Sequence, residues 1–334
     1  MAYKPNMEDI KKLRTMTGAG LADVKKALTE AEGDFNQAKD LLRERGLAIA
    51  AKRSDRETSN GCVLVKAVDG FAAMIALKCE TDFVANGADF IALTQSILDA
   101  AIANKCADLE QVKELTLADG QKVQDAVTQR SGITGEKMEL DGYLTLAGEN
   151  IEVYDHMGKH MLCTMVQTNK LAQEAGHKLA MQVAAMKPVA LDAKSMPQAI
   201  LDEEYKTAVE KTKLEQIEKY VDSVLKKAGI NPNLVDSEDH IESNMKKGWL
   251  TQEEADKARE LKEKAAAEKA ANLPAQMIEN IAKGRVQKFL KDNCLVDQEF
   301  QFGDGDKETV TAWLARQDKE LAICDFKRFT LVAE

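Results

Sequence analysis

Two apolar runs rich in β-branched residues, Gly61 to Val68 and Phe71 to Cys79, are separated only by Asp69-Gly70. An Asp-Gly pair between such runs calls for a type I′ hairpin, because that turn needs positive φ at both central residues. The second run passes directly into Glu80-Thr81-Asp82-Phe83, and a helical pattern carrying Phe90, Ile91, Leu93, Ile97 and Leu98 begins near Gly87, with Asn86 and Asp89 suited to cap it. Glu80 to Asn86 is therefore expected to be a short exposed connection on a rigid base, carrying a bulky Phe83. A large apolar side chain at such a tip points to a binding partner. The plainer reading makes Asp82 a cap and Phe83 a plug in its own core.

Upstream, three short helices fit the glycine punctuation. Asn6 with Asp9 caps the first, which contains Ile10 and Leu13 and stops at Gly18; the second runs from about Ala22 to Glu32 and stops at Gly33. Asp34 with Gln37 opens the third, with Phe35, Ala38, Leu41 and Leu42 as its buried stripe and Gly46 as its end. They make a small bundle of the ubiquitin-associated type. The T-G-A-G turn at Thr17 to Gly20 lacks a preceding strand and a third glycine, so it reads as a helix stop and tight turn and not as a dinucleotide fingerprint.

Downstream, shorter helical pieces cover Leu109 to Arg130, and Ser131 to Lys137 is a glycine-marked turn. Asp141 to Ala147, Asn150 to Tyr154 and His160 to Gln167 alternate as strands, and Leu171 to Met186 is a helix stopped by Pro188. A long stripe from Leu201 to Leu225 and an Ala-, Glu- and Lys-rich helix opened by Thr251 and Glu254 pair as a helical hairpin. Pro274 opens a further helix, Phe302 to Asp306 reads as a surface turn, and Ile323 to Val332 is a final edge strand. The expected fold is α+β. A three-helix ubiquitin-associated-like bundle (1–46) and a mobile linker (47–60) precede two related α/β subdomains with antiparallel sheets. The first (61–139) carries the Asp82-Phe83 loop; the second is split (140–200 and 274–334) around a long helical-hairpin, coiled-coil insertion (201–273).

The net charge of −10 and pI near 5.2 argue against non-specific binding to nucleic acid or anionic membrane, which needs clustered Lys and Arg. Six scattered cysteines without a CxxC pair read as reduced, buried thiols. With no apolar leader and no long apolar run, a soluble cytoplasmic protein is expected. No phosphate loop, nucleophile elbow or zinc helix is found. His156, His160 and Cys163 are three potential zinc ligands within a short stretch, but a strand from His160 sends Cys163 to the opposite face and no fourth ligand is near. No cofactor or metal is expected.

Leu13-Arg14, T-G-A-G and Asp23 to Leu28, followed downstream by E-T-D-F-V-A at Glu80 to Ala85, resemble two motifs of the bacterial elongation factor Ts family. The resemblance covers most of the chain outside the helical insertion; Ala22, Val24, Gln182 and Glu299 depart from the common pattern. It implies a non-enzymatic guanine-nucleotide exchange factor whose partner is elongation factor Tu, GDP-bound and nucleotide-free. Asp82 and Phe83, flanked by Thr81 and Val84, would wedge beside that partner's magnesium and phosphate sites. Arg14, Leu21, Ala22 and Lys25 of the bundle, Thr134 and Gly135 of the second loop, and Gln182 would make further contacts. The helical hairpin itself reads as a solvated arm, as a partner contact, or as a surface that would join two such complexes as a homodimer. Two readings of other classes stand beside this one: a ubiquitin-associated-like adaptor with a coiled-coil arm, and a zinc hydrolase built on His156, His160 and Cys163.

Overall fold

The computed structural model describes residues 3–53, 55–303 and 307–332, so part of the 302–306 turn and one position of the 47–60 linker lie outside it. Three helices come first: α1 (Met7–Thr17), α2 (Leu21–Glu30) and α3 (Phe35–Ala51). The Asn6 side chain accepts from the Asp9 N–H at 2.7 Å, and Asp34 accepts from the N–H groups of Asn36 and Gln37. Ile10, Leu13, Val24, Ala27, Leu28 and Ala38 form the bundle core.

Helix α3 does not stop at Gly46. That residue lies inside the helix and serves a close helix crossing, described below, so the linker begins later than expected.

The hairpin follows as β1 (Asn60–Val68) and β2 (Phe71–Cys79), with φ of 47° at Asp69 and 72° at Gly70. After it come the one-turn helix α4 (Asp82–Ala85), then α5 (Ala88–Ala103), α6 (Leu109–Lys113), α7 (Val123–Thr134) and β3 (Met138–Ala147). The sequence placed β3 with the strands that follow it, but β3 pairs antiparallel with β2. Every residue of β2 from Phe71 to Leu77 is buried, so both its faces and both its edges must be covered. Gly148 N–H donates to the Gly70 carbonyl at 2.8 Å and fixes the end of β3 beside the hairpin turn.

Alternate residues divide the two faces of this sheet. Leu64, Ala73, Ile75 and Leu77 pack under Phe90, Ile97, Leu98 and Val127 of the helices. Val63, Met74 and Ala76 turn the other way, into a second core shared with Cys163 and Met165. Those last two belong to β5 (Leu162–Thr168), which pairs antiparallel with β4 (Ile151–Asp155). Helix α8 (Gln173–Met186) covers that second sheet's outer side, where the Thr164 hydroxyl donates to the Ala180 carbonyl at 2.9 Å.

Pro188–Gln298 form a compact unit of their own. It contains α9 (Gln198–Lys227), α10 (Glu238–Lys246), α11 (Gln252–Ala271) and α12 (Ala275–Asn293). Thr251 and Glu254 form the expected capping box. Helix α9 packs against α11 and also against α12. The segment expected to return directly to the second sheet therefore begins as part of the helical unit. A bridge between Ala190 and Cys294 closes this unit's two ends.

The chain then rejoins the first unit through α13 (Val310–Gln317) and β6 (Ile323–Thr330), the latter pairing antiparallel with β5. The second sheet has the order β4-β5-β6, and β6 is an edge as expected. Among the described residues no helix is long and apolar enough to cross a membrane. Five cysteines are buried; Cys324 is exposed, contrary to the expectation for it.

Candidate functional site

Phe83 is 86% exposed at the middle of α4, a single helical turn and not an extended connection. Thr81 is the cap of that turn, its hydroxyl accepting from the Val84 N–H at 3.4 Å. Asn86 closes it: its backbone N–H and its side-chain amide both donate to the Asp82 carbonyl, at 2.9 and 2.8 Å. Asn86 is therefore not the cap of α5; Gly87 takes that position without a side-chain bond. Ala85 is buried against the helix-covered face of the first sheet and Val84 is partly buried, which anchors one side of the turn while Asp82 and Phe83 face solvent.

Four residues alone do not hold a helical turn in water. The order here comes from the segment just before it. Glu136 accepts from the N–H groups of Glu80 and Thr81 at 3.2 and 3.0 Å, and its other oxygen accepts from the Thr81 hydroxyl at 2.6 Å. In return the Glu80 carboxylate accepts from the Lys137 N–H at 2.6 Å and from Arg56 at 2.9 Å. That backbone donor, with the Arg56 guanidinium, holds the Glu80 carboxyl below the usual carboxylate range. Asn60 donates to the Glu80 carbonyl at 2.9 Å. Burial pushes the Cys79 thiol, immediately upstream, up to about 12, so it stays protonated and inert at neutral pH.

Glu136 escaped the reading of the sequence. Its signal was its place immediately after Thr134-Gly135, where Gly135 in the left-handed region (φ 71°) ends α7 and aims the next residue at the turn. Thr134 and Gly135 themselves are half-buried, and Arg53 lies against Gly135. The supposed linker thus supplies Arg53, Arg56 and Asn60 to the base of the site.

Arg14, Leu21, Ala22 and Lys25 are all exposed around the α1–α2 turn, with Leu21 51% accessible. This turn lies against α7, because a Cβ added at Gly18 would sit 3.6 Å from Arg130 and Ile133. Helix α3 meets α7 even more closely. A Cβ added at Gly132 would come within 2.3 Å of the Gly46 Cα, so only glycine permits the crossing. Helix α7 therefore touches the bundle along its second half and ends at the residues that hold the Phe83 turn.

Gln182 does not join these surfaces. It is 0% exposed; its amide donates to the Glu299 carbonyl at 3.1 Å and its oxygen accepts from the Gln301 N–H at 3.0 Å. It secures the returning chain from inside. The three zinc candidates make protein contacts instead, with Asp155 lying beside both His160 and Cys163. His160 pairs with Asp155 at 2.5 Å, His156 contacts the Tyr154 hydroxyl at 3.1 Å, and Cys163 is buried between the sheets with its thiol on the Val63 carbonyl. Among the described residues no three His, Cys, Asp or Glu side chains are grouped to hold a metal ion.

Bundle, stacked sheets and helical unit define an α+β protein whose best-formed surface feature is an apolar turn clamped at its base. Residues 80–333 match the family model described as Elongation factor TS. Over 328 residues the chain is 58% identical to an elongation factor Ts of Parabacteroides distasonis, covering 98% of this chain and 99% of that protein. It is 59% identical over 329 residues to an elongation factor Ts of Bacteroides fragilis, covering 98% and 99%, and 38% identical over 328 residues to one of Porphyromonas gingivalis, covering 98% of each. The chain belongs to the elongation factor Ts family, and so to the elongation factors of protein biosynthesis.

Proposed function

We propose that this protein binds elongation factor Tu and promotes release of its GDP by inserting the Asp82-Phe83 turn beside the partner's magnesium and phosphate sites. The observation that carries the reading is Phe83, 86% exposed on a turn whose base is fixed by hydrogen bonds. A flexible Phe on a loop would lose entropy on docking, whereas one already ordered loses less. Burying its ring contributes about 2 kcal/mol of contact. Magnesium demands near-octahedral geometry, so a small displacement of its surroundings weakens the hold on GDP. By linkage, factor and GDP lower each other's affinity for the partner by the same ratio, and incoming GTP completes the exchange. Arg14, Leu21, Ala22 and Lys25 hold the nucleotide domain from the bundle side, with Thr134 and Gly135 in support.

This mechanism assigns no catalytic residue, nucleotide site or cofactor to the chain; it acts by protein contact in the cytoplasm, where its partner works. The test is release of a fluorescent GDP from elongation factor Tu. Phe83→Ala should slow the stimulated release at least tenfold while leaving the melting temperature unchanged, since the lost ring is outside the core. Stimulation equal to wild type would sink the wedge.

A further inference from the structure

We propose that Glu136 is a positioning residue for exchange: its carboxylate sets the pose in which Phe83 meets the partner. This rests on the reading of the turn as the exchange element. Of the groups that touch the turn, Glu136 is the one that binds both backbone N–H groups immediately before Asp82 and the capping hydroxyl of Thr81. The cap's own bond to Val84 is long, at 3.4 Å, and the far end is closed locally by Asn86. Removing the carboxylate takes the acceptor from two N–H donors and a hydroxyl, and leaves α4 held more loosely about its buried Ala85, by Asn60 at the Glu80 carbonyl, Cys79 at the Thr81 carbonyl and Asn86 at the far end. The core is untouched, because Glu136 is only half-buried and lies outside the apolar clusters.

Glu136 also stands where α7 ends, and α7 is the helix that contacts the bundle at Gly18 and Gly46. One rigid element thus links the bundle surface to the turn. A partner that seats the bundle first finds Phe83 already at a set distance and angle, and the encounter does not have to search for it.

The experiment measures fluorescent-GDP release from elongation factor Tu against factor concentration, for the full chain and for Phe83→Ala, Glu136→Ala, Glu136→Gln and the double variant F83A/E136A. Glu136→Ala should lower the saturated release rate about tenfold, with its thermal unfolding close to wild type, since misplacement of a wedge costs rate more than affinity. Glu136→Gln keeps an oxygen for the two N–H groups and should recover most of that rate. The double variant should be no slower than Phe83→Ala alone, because Glu136 acts through Phe83. Multiplying effects in the double variant would overturn the proposal. So would a wild-type rate for Glu136→Ala beside a slow Phe83→Ala, and that outcome leaves the wedge reading standing. A wild-type rate for Phe83→Ala removes the wedge itself and the positioning role with it.

Discussion

The Phe83 turn and the helical unit of residues 188–298 both show large apolar side chains to solvent, and they hold them in different ways. Phe83 is fixed by groups far away in sequence, Glu136 and, through Glu80, Arg56. In the helical unit, Trp249 is 63% exposed, and its fixtures are neighbours: its N–H donates to the Asn244 carbonyl at 2.9 Å, and Lys247 stands 5.0 Å from its ring. Several of the unit's ion pairs are equally local, Lys246 with Glu242, Lys264 with Glu260 and Lys283 with Glu279 being one helical turn apart, while Arg259 with Glu238 and Arg285 with Glu215 tie separate helices together. A side chain whose pose depends on tertiary structure is placed to act at one distance and angle. One held by the residues just before it, as Trp249 is by Asn244 and Lys247, is ordered wherever that short segment goes.

The largest effect expected from this contrast lies inside the helical unit. Leu225 is nearly fully buried with Val221, Ala255 and Ala258, so Leu225→Ala should cost about 3 kcal/mol and bring out an early urea transition confined to the helices. One transition shifting as a whole would merge the two regions and erase the distinction. Next comes Gly132→Ala, whose methyl meets backbone at the α3–α7 crossing; a loss of roughly 2 kcal/mol, with faster proteolysis between 47 and 60, is the expected result. Proteolysis at the wild-type rate would mean that the crossing does not hold the bundle.

Acid supplies a smaller and more selective effect. Glu80 is held below its ordinary range in the folded chain, so its ionised form favours folding at neutral pH, and that contribution is lost as pH falls below the ordinary carboxylate range and through the lowered one of the folded chain. Stability measured by denaturant between pH 3 and 6 should therefore decline less steeply in Glu80→Gln than in wild type; identical slopes would exclude the clamp as the cause. The smallest effect belongs to the solvated Lys264–Glu260 pair, where Lys264→Ala should leave the unfolding midpoint unchanged.

Much of this architecture was legible because its determinants are local. Asp69-Gly70 announced the hairpin, Asn6, Asp34 and Thr251 announced helix starts, and Gly18 announced a helix end, each through backbone chemistry that acts within a few residues. Gly46 misled because a helix-stopping glycine and a glycine that admits another helix are spelled alike; they differ in φ, and Gly46 is absent from the left-handed region. The strand at 138–147 alternates like any other, and nothing in its own residues says which sheet it joins. The same limit hid Glu136 and misread Gln182. One makes its bonds to residues more than fifty positions away and the other to residues more than a hundred away, so their roles exist only once the chain is folded.

The pairing of β5 with β6 bears on how the chain is made. Leu162 meets Thr330 across the second sheet, and the whole helical unit is synthesised between them. A nascent chain that has completed β5 has its β4 edge covered while the opposite edge waits, presenting unpaired backbone beside buried-type residues such as Val166. The intervening helices, built on short-range contacts, have time to form first. Closure of the second sheet is then a late step in folding, and until it happens the open β5 edge is available for mispairing.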